Sequence, residues 1–204
     1  MELNKDFAEL IGILLGDGSI NIYPSNKYST YYRVKVSFNS NEEAYVIYVG
    51  DLMFKILNEK PKRHDRKNED TSELLIFKKI VANKLLSIGL KKSPKWNRAV
   101  IPEKFMKKRL SKYVLRGYFD TDGSVVLANN NGTLYPRLEM KVCPSPMQSQ
   151  ILKLLNECNL NYNYYNIGKG KIRIQMNGKK ALKTWISKIG FNNPKHIEKA
   201  SYFT

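Results

Sequence analysis

The chain repeats itself, and that repeat limits what it can fold into more than any other property of the sequence. Leu10 to Ile20 reads LIGILLGDGSI and Leu115 to Val125 reads LRGYFDTDGSV, so Asp-Gly-Ser stands at 17–19 and again at 122–124, an offset of 105. Downstream, the run from Arg33 faces the run from Arg137, Ile88-Gly89 faces Ile189-Gly190, and Pro94-Lys95 faces Pro194-Lys195, at offsets of 104, 101 and 100. Four matches in one order with a slowly drifting offset describe tandem copies of one unit of about 100 residues. The expected organisation is an N-terminal half over 1–100, a linker over 101–112 and a C-terminal half over 113–204.

Each copy has the same coarse order of elements. In the first, Phe7 to Leu15 is apolar at helical spacing and stops at Gly16-Asp17-Gly18. Ser19 to Tyr23 and Tyr31 to Phe38 read as hairpin strands with Pro24, Ser25 and Asn26 as turn formers. A helix over Glu42 to Leu57, a polar loop, a strand over Ser72 to Phe77 and a short helix over Val81 to Ile88 follow. The second copy gives a helix over Val114 to Asp120 and strands over Ser124 to Ala128 and Leu134 to Val142. It continues with a helix over Met147 to Cys158, a strand over Lys171 to Met176 and a helix over Lys180 to Ile189. Such a unit is α+β.

Charge supplies the first hint of a partner. Against 18 acids the chain carries 35 Lys and Arg, a net +17, on a sequence that is 42% hydrophobic, so a disordered basic tail is excluded. Collagen, coiled-coil and membrane-spanning readings fail for want of a Gly period, a sustained heptad or an apolar run of roughly 18 residues. A charge this large answers to a polyanion, with nucleic acid expected first. A membrane surface would call for one basic amphipathic helix rather than basicity spread along the chain. Cys143 and Cys158 make neither a disulfide framework nor a metal pair, and no signal peptide is recognisable, so a reducing intracellular compartment is expected, not secretion.

The first helix of each copy is odd. Gly12 and Gly16 lie four apart, as do Gly117 and Thr121, giving each helix a small-residue face. Glycine inside a helix costs roughly 1 kcal/mol against alanine, so close approach of a second backbone is the expected reason. The repeat supplies that second helix across a pseudo-twofold axis. Asp17 and Asp122 then end the paired helices, where a carboxylate opposes the macrodipole and each raises the other's pKa. A lone Asp-Gly-Ser would be turn chemistry. A symmetric pair after Gly-bearing helices favours a hard divalent cation such as Mg²⁺, which takes one or two carboxylates plus waters and phosphate oxygens.

Alternation along the long strands gives a reading surface. Tyr32, Val34, Val36 and Phe38 share one face, and Arg33, Lys35 and Ser37 the other. In the second copy Leu138, Met140 and Val142 oppose Arg137, Glu139 and Lys141, and Ile172, Ile174 and Met176 oppose Lys171, Arg173 and Gln175. A two-stranded ribbon fits the major groove, where Arg or Lys reads guanine, Gln reads adenine and Glu accepts from cytosine. Lys62, Arg63 and Arg66, in the loop from Lys60 to Asp70, read as phosphate contacts among the acids Asp65, Glu69 and Asp70.

The two segments LIGILLGDG, ending at Gly18, and LRGYFDTDG, ending at Gly123, resemble the paired motifs of the LAGLIDADG homing endonucleases in their single-chain form. The first lacks the earlier acid of the motif, having Leu15 there, while the later acid is present in both as Asp17 and Asp122. Gly190 to Lys199 is also similar to the C-terminal end of single-chain members. An intein is not expected, since residue 1 is Met and the sequence ends Ser-Tyr-Phe-Thr204 without the His-Asn of splicing. The resemblance implies two pseudo-twofold-related αββαββα halves packed through their motif helices, with saddle-shaped antiparallel sheets on DNA. It implies metal held by Asp17 and Asp122 with the carbonyls of Gly16 and Thr121, using Mg²⁺ or Mn²⁺, with Ca²⁺ binding but not supporting cleavage. Lys95 and Lys195 are the implied basic residues of the pocket, with Arg98 next. The family's polar strand residue falls near Phe38 and Val142, or Lys141 after a register slip. The implied activity is a double-strand break with short 3′ overhangs in a long asymmetric DNA target, made by a monomer. An intron RNA maturase and a silent DNA-binding regulator are the alternatives.

Overall fold

A computed structural model describes residues 2–26 and 29–203 of the chain. The first half runs α1 (Lys5–Leu15), β1 (Gly18–Asn26), β2 (Ser29–Asn39), α2 (Glu43–Leu57), β3 (Lys62–Asp65), β4 (Thr71–Ile76) and α3 (Lys79–Ser87). The second runs α4 (Lys108–Asp122), β5 (Gly123–Asn130), β6 (Thr133–Val142), α5 (Met147–Glu157), β7 (Asn163–Asn166), β8 (Ile172–Asn177), α6 (Gly178–Lys188) and α7 (Pro194–Ser201). Both sheets are antiparallel and ordered alike, β1-β2-β4-β3 and β5-β6-β8-β7. These are the two αββαββα halves expected from the repeat, with α7 added at the end.

Local signals explain the elements that position the site. Asn4 caps α1, its side chain accepting from the Phe7 amide at 2.9 Å, which satisfies one of the orphan donors of the first turn. Along β2, Val34, Val36 and Phe38 are buried and Arg33, Lys35 and Ser37 only partly so, because α3 covers one face of the sheet. On β8, Ile172, Ile174 and Met176 are buried in the same way beneath α6.

Between the halves, α1 packs on α4. A Cβ on Gly12 would collide with the Val114 carbonyl oxygen and lie 2.7 Å from the Tyr118 nitrogen; one on Gly117 would collide with the Glu9 carbonyl oxygen and lie 3.0 Å from the Ile13 nitrogen. Both contact sets map onto each other through the offset of 105, so the axis inferred from sequence exists as backbone geometry. Beside this contact the fully buried carboxylate of Glu9 accepts from Arg116 Nη2 at 2.5 Å, Arg116 Nε at 3.1 Å, Tyr48 Oη at 2.8 Å and Asn192 Nδ2 at 2.7 Å. Four donors from three other segments satisfy a charge that would otherwise be prohibitive to bury.

Several sequence expectations change. Strand β1 continues through Pro24 with a register irregularity, so Pro24, Ser25 and Asn26 are not the turn; the connection at 27–28 lies outside the described residues. An edge strand tolerates proline because its outward N–H has no partner to lose. The polar loop from Lys60 contains β3, and β7 is its counterpart; every residue of both strands is exposed, so neither leaves an apolar alternation to read. Helix α4 starts at Lys108, inside the expected linker. Among the described residues no helix is long and apolar enough to cross a membrane.

Candidate active site and nucleic-acid face

Each acid lies where a motif helix hands over to a sheet. Gly16 caps α1 with its N–H on the Gly12 carbonyl, Asp17 follows, and the Asp17 carbonyl accepts from the Ser37 amide at 3.3 Å as the hairpin begins. Asp122 is the last residue of α4, and the Gly123 amide closes that helix on Phe119. The axis brings the two together, since a Cβ on Gly16 would stand 3.3 Å from Asp122 Oδ2. Loss of hydration pushes the Asp122 carboxyl up to about 7, with the negative charge of Asp17 adding to the shift and Lys95 and Lys141 opposing it. Asp17 is raised for the same first reason, against the pull of Lys95 and Lys195.

Lys95 shows what this site can hold. Its ammonium donates to the carbonyl oxygens of Leu14 at 3.1 Å, Leu15 at 2.6 Å and Gly16, the free C-terminal carbonyls of α1. Burial lowers its pKa, while Asp122 and Asp17 hold the proton on. A cation thus sits among main-chain oxygens beside two carboxylates, an all-oxygen donor set that suits Mg²⁺ or Mn²⁺ rather than a soft metal. Among the described residues no group of three or more His, Cys, Asp or Glu could hold an ion by itself. A metal held here by Asp17, Asp122 and carbonyls would therefore keep places for water and phosphate.

The other expected residues separate. Lys195, at the start of α7, pairs with Glu42 at 3.0 Å and acts on Asp17 from there. Arg98 braces its own loop through the Lys92 and Pro94 carbonyls at 3.0 and 2.8 Å and is not paired with the acids. Phe38 and Val142 face the core, so the strand position falls to Lys141, whose charge Asp122 feels. Thr121 turns its hydroxyl back to the Gly117 and Tyr118 carbonyls at 3.2 and 2.9 Å, filling the space that Gly16 leaves.

Arg33, Lys35 and Ser37 on β2, Arg137, Glu139 and Lys141 on β6, and Arg173 and Gln175 on β8 occupy the faces turned from the helices. Lys171 precedes β8 and stacks its ammonium over Trp96, 5.3 Å from the ring centre. Ion pairs organise both faces. Glu73 takes Lys35 at 2.6 Å and Arg66 at 2.8 Å, while Glu139 takes Arg137 at 2.5 Å and Gln175 at 2.6 Å. Lys62 pairs with Leu75 in register and falls on the same side as Lys35. Arg63 is a correction: it pairs in register with Leu74, turns toward α2, and is held by Glu43 at 2.6 Å and Asp65 at 2.9 Å. Side chains alternate across a strand, so assignment to a loop concealed that Lys62 and Arg63 point opposite ways.

Sequence reasoning missed Glu42, Glu73 and the buried acid Asp120. Asp120 Oδ2 accepts the amides of Asn192 at 2.8 Å and Asn193 at 3.3 Å, tying the start of α7 to the end of α4; burial pushes its carboxyl up to about 7. The motif letter was visible, but partners more than seventy residues away were not.

Fold and site together define a protein of two like halves, each with a cationic sheet face, whose paired acids are shared between them. The chain belongs to the LAGLIDADG DNA endonuclease family, whose sequence profile matches residues 7–184. It is 31% identical over 160 residues to an uncharacterized protein of Methanocaldococcus jannaschii; that match takes in 76% of the chain but spans only 17% of the relative. Among solved structures, the homing endonuclease I-DmoI in complex with DNA and Mn superposes with a TM-score of 0.69 at 17% identity, covering 91% of this chain and 96% of that one. I-WcaI bound to its DNA recognition sequence gives 0.65 at 20% identity, covering 100% and 87%.

Proposed function

We propose that the chain is a monomeric, Mg²⁺-dependent, site-specific endonuclease that makes a double-strand break with short 3′ overhangs in a long asymmetric DNA target. The observation that carries this reading is the meeting of Asp17 and Asp122 at the crossed ends of α1 and α4, each at the root of its own cationic sheet. The I-DmoI and I-WcaI complexes with DNA support the same partner. A bound divalent ion would polarise the scissile phosphate, lower the pKa of an attacking water and stabilise the departing 3′ oxygen. Asp17 and Asp122 anchor that charge, and Lys95 and Lys195 offset the phosphate charge beside it. Unlike reading faces, Lys35 opposite Glu139 and Ser37 opposite Lys141 in the repeat, suit unlike half-sites. Both acids come from one chain, so a monomer suffices.

Selection of cut sites from a randomised duplex library in Mg²⁺ tests the reading; recovery of one long site with 3′ overhangs is expected, and no enriched site would count against it. Arg33, Arg137 and Arg173 should each cost about 1 to 3 kcal/mol when removed and relax specificity at one base pair. Uniform weakening on all sequences would make them phosphate contacts. If roughly six to ten phosphates are neutralised, affinity should fall about 10³ to 10⁵ between 50 and 200 mM salt.

A further inference from the structure

We propose that Glu42 tethers Lys195 and so makes the two half-sites unequal, the strands being cut in sequence with the Lys195 half acting second. The inference rests on the endonuclease reading. Lys95 and Lys195 are equivalent in the repeat, at an offset of 100, yet they are held differently. Lys95 donates to neutral main-chain carbonyls. The ammonium of Lys195 lies 3.0 Å from each oxygen of the Glu42 carboxylate.

That carboxylate is clamped. Asn193, itself 1% exposed, donates from Nδ2 to Glu42 Oε2 at 2.6 Å and to the Asp120 carbonyl at 3.0 Å. Glu42 therefore cannot swing away with the lysine when a phosphate arrives. The inequality is written in the sequence: Glu42 immediately precedes α2, and the residue in the same place before α5 is Pro146, which has no charge to offer.

The consequence for chemistry is electrostatic. In hydrolysis a water oxygen bonds to phosphorus as the bond from phosphorus to the 3′ oxygen breaks; the water loses its proton and the 3′ oxygen takes one up, leaving a 3′ hydroxyl and a 5′ phosphate. Negative charge grows on the phosphoryl oxygens and the departing oxygen. Among the described residues the only carboxylates near Lys95 are the two acids that would hold the metal, and its own hydrogen bonds go to neutral carbonyls, whereas Lys195 is paired directly with a further carboxylate that repels the phosphate. Glu42 is a positioning residue, acting through Lys195.

Single-turnover cleavage of an end-labelled target resolves the two strands. For the unaltered protein, nicked duplex should accumulate before the break. In Glu42→Gln the slower strand should be cut about tenfold faster, the factor one charge-assisted hydrogen bond is worth, with the faster strand within about twofold. Glu42→Asp keeps the charge and should keep the nick. Without DNA, competitive labelling with an amine-reactive reagent should show Lys195 more reactive in Glu42→Gln and Lys95 unchanged. Concerted cutting by the unaltered protein, equal or opposite effects on the strands, or unchanged Lys195 reactivity would each overturn the tether. Failure of the unaltered protein to cut either strand would instead overturn the endonuclease reading, and the labelling, which needs no DNA, tells the two apart.

Discussion

Asp122→Asn should abolish double-strand cleavage, with the rate falling at least about 10² to 10³-fold, the loss that follows removal of one preorganised electrostatic group from a reacting site. DNA affinity should hold, because Asp122 contributes no positive charge to the reading faces. The same change should make the metal-free protein more stable at pH 8. Burial and Asp17 push the Asp122 carboxyl up to about 7, well above an ordinary aspartate. A folded-state pKa raised above the unfolded value means that the contribution of this group is fully present below about pH 4 and is lost as pH rises through about 7. Asparagine is neutral at every pH and avoids that loss. Thermal unfolding with and without Ca²⁺ separates these effects: Ca²⁺ should stabilise the unaltered protein more at pH 8 than at pH 5, and Asp122→Asn little at either. Asp17→Asn should lose cleavage likewise. Wild-type rates on both strands from either variant would remove these acids from the chemistry.

Gly117→Ala carries the second large effect, on stability. The added methyl meets main-chain atoms of α1 at Glu9 and Ile13, and backbone inside a packed helix pair has no rotamer to yield. Overpacking usually costs 1 to 3 kcal/mol, so a loss of ~3 kcal/mol or more is expected here. In a chain of 204 residues that lowers the midpoint by about 10 °C. Cleavage should fail as well, because the contact that separates the helices is the one that sets the two acids side by side. Gly50→Ala is the control, since its methyl would meet only Leu74 Cδ1 at 3.8 Å. Within α2 that change should stabilise by up to about 1 kcal/mol. Opposite signs for two Gly-to-Ala changes inside helices would locate the cost in the interhelical contact.

Repetition made the fold legible. One helix, one acid and one alternating strand could each have been accidental, but each occurs twice at nearly the same offset, and α1, β2, α4 and β6 follow from that. What stayed hidden lacked either periodicity or a local partner. Strands β3 and β7 are short and wholly exposed, so no apolar alternation marks their pleat. The side on which Arg63 falls depends on register with Leu74, which no local pattern declares. Glu9 and Glu42 find their partners across the halves, at sequence separations of 107 and 153 residues, and Asp120 finds its own 72 residues on within the second half. In the candidate site the acids could be read from position alone, while the contrast between Lys95 and Lys195 needed the carboxylate that only one of them meets.

The ion pair between the buried Glu9 and the partly exposed Arg116 also decides which half can marry which. Through the repeat, the place of Arg116 is taken in the first half by Ile11, and the place of Glu9 in the second half by Val114. Two first halves from different chains, meeting through the same glycine contact, would each bury Glu9 against an isoleucine. Two second halves would set Arg116 against a valine in the same way. Removing the partner of a buried charge costs about 3 to 5 kcal/mol, a penalty that falls chiefly on the union of two first halves, because Glu9 is fully buried and Arg116 partly exposed. The pair thus favours union of a first half with a second half over union of two like halves.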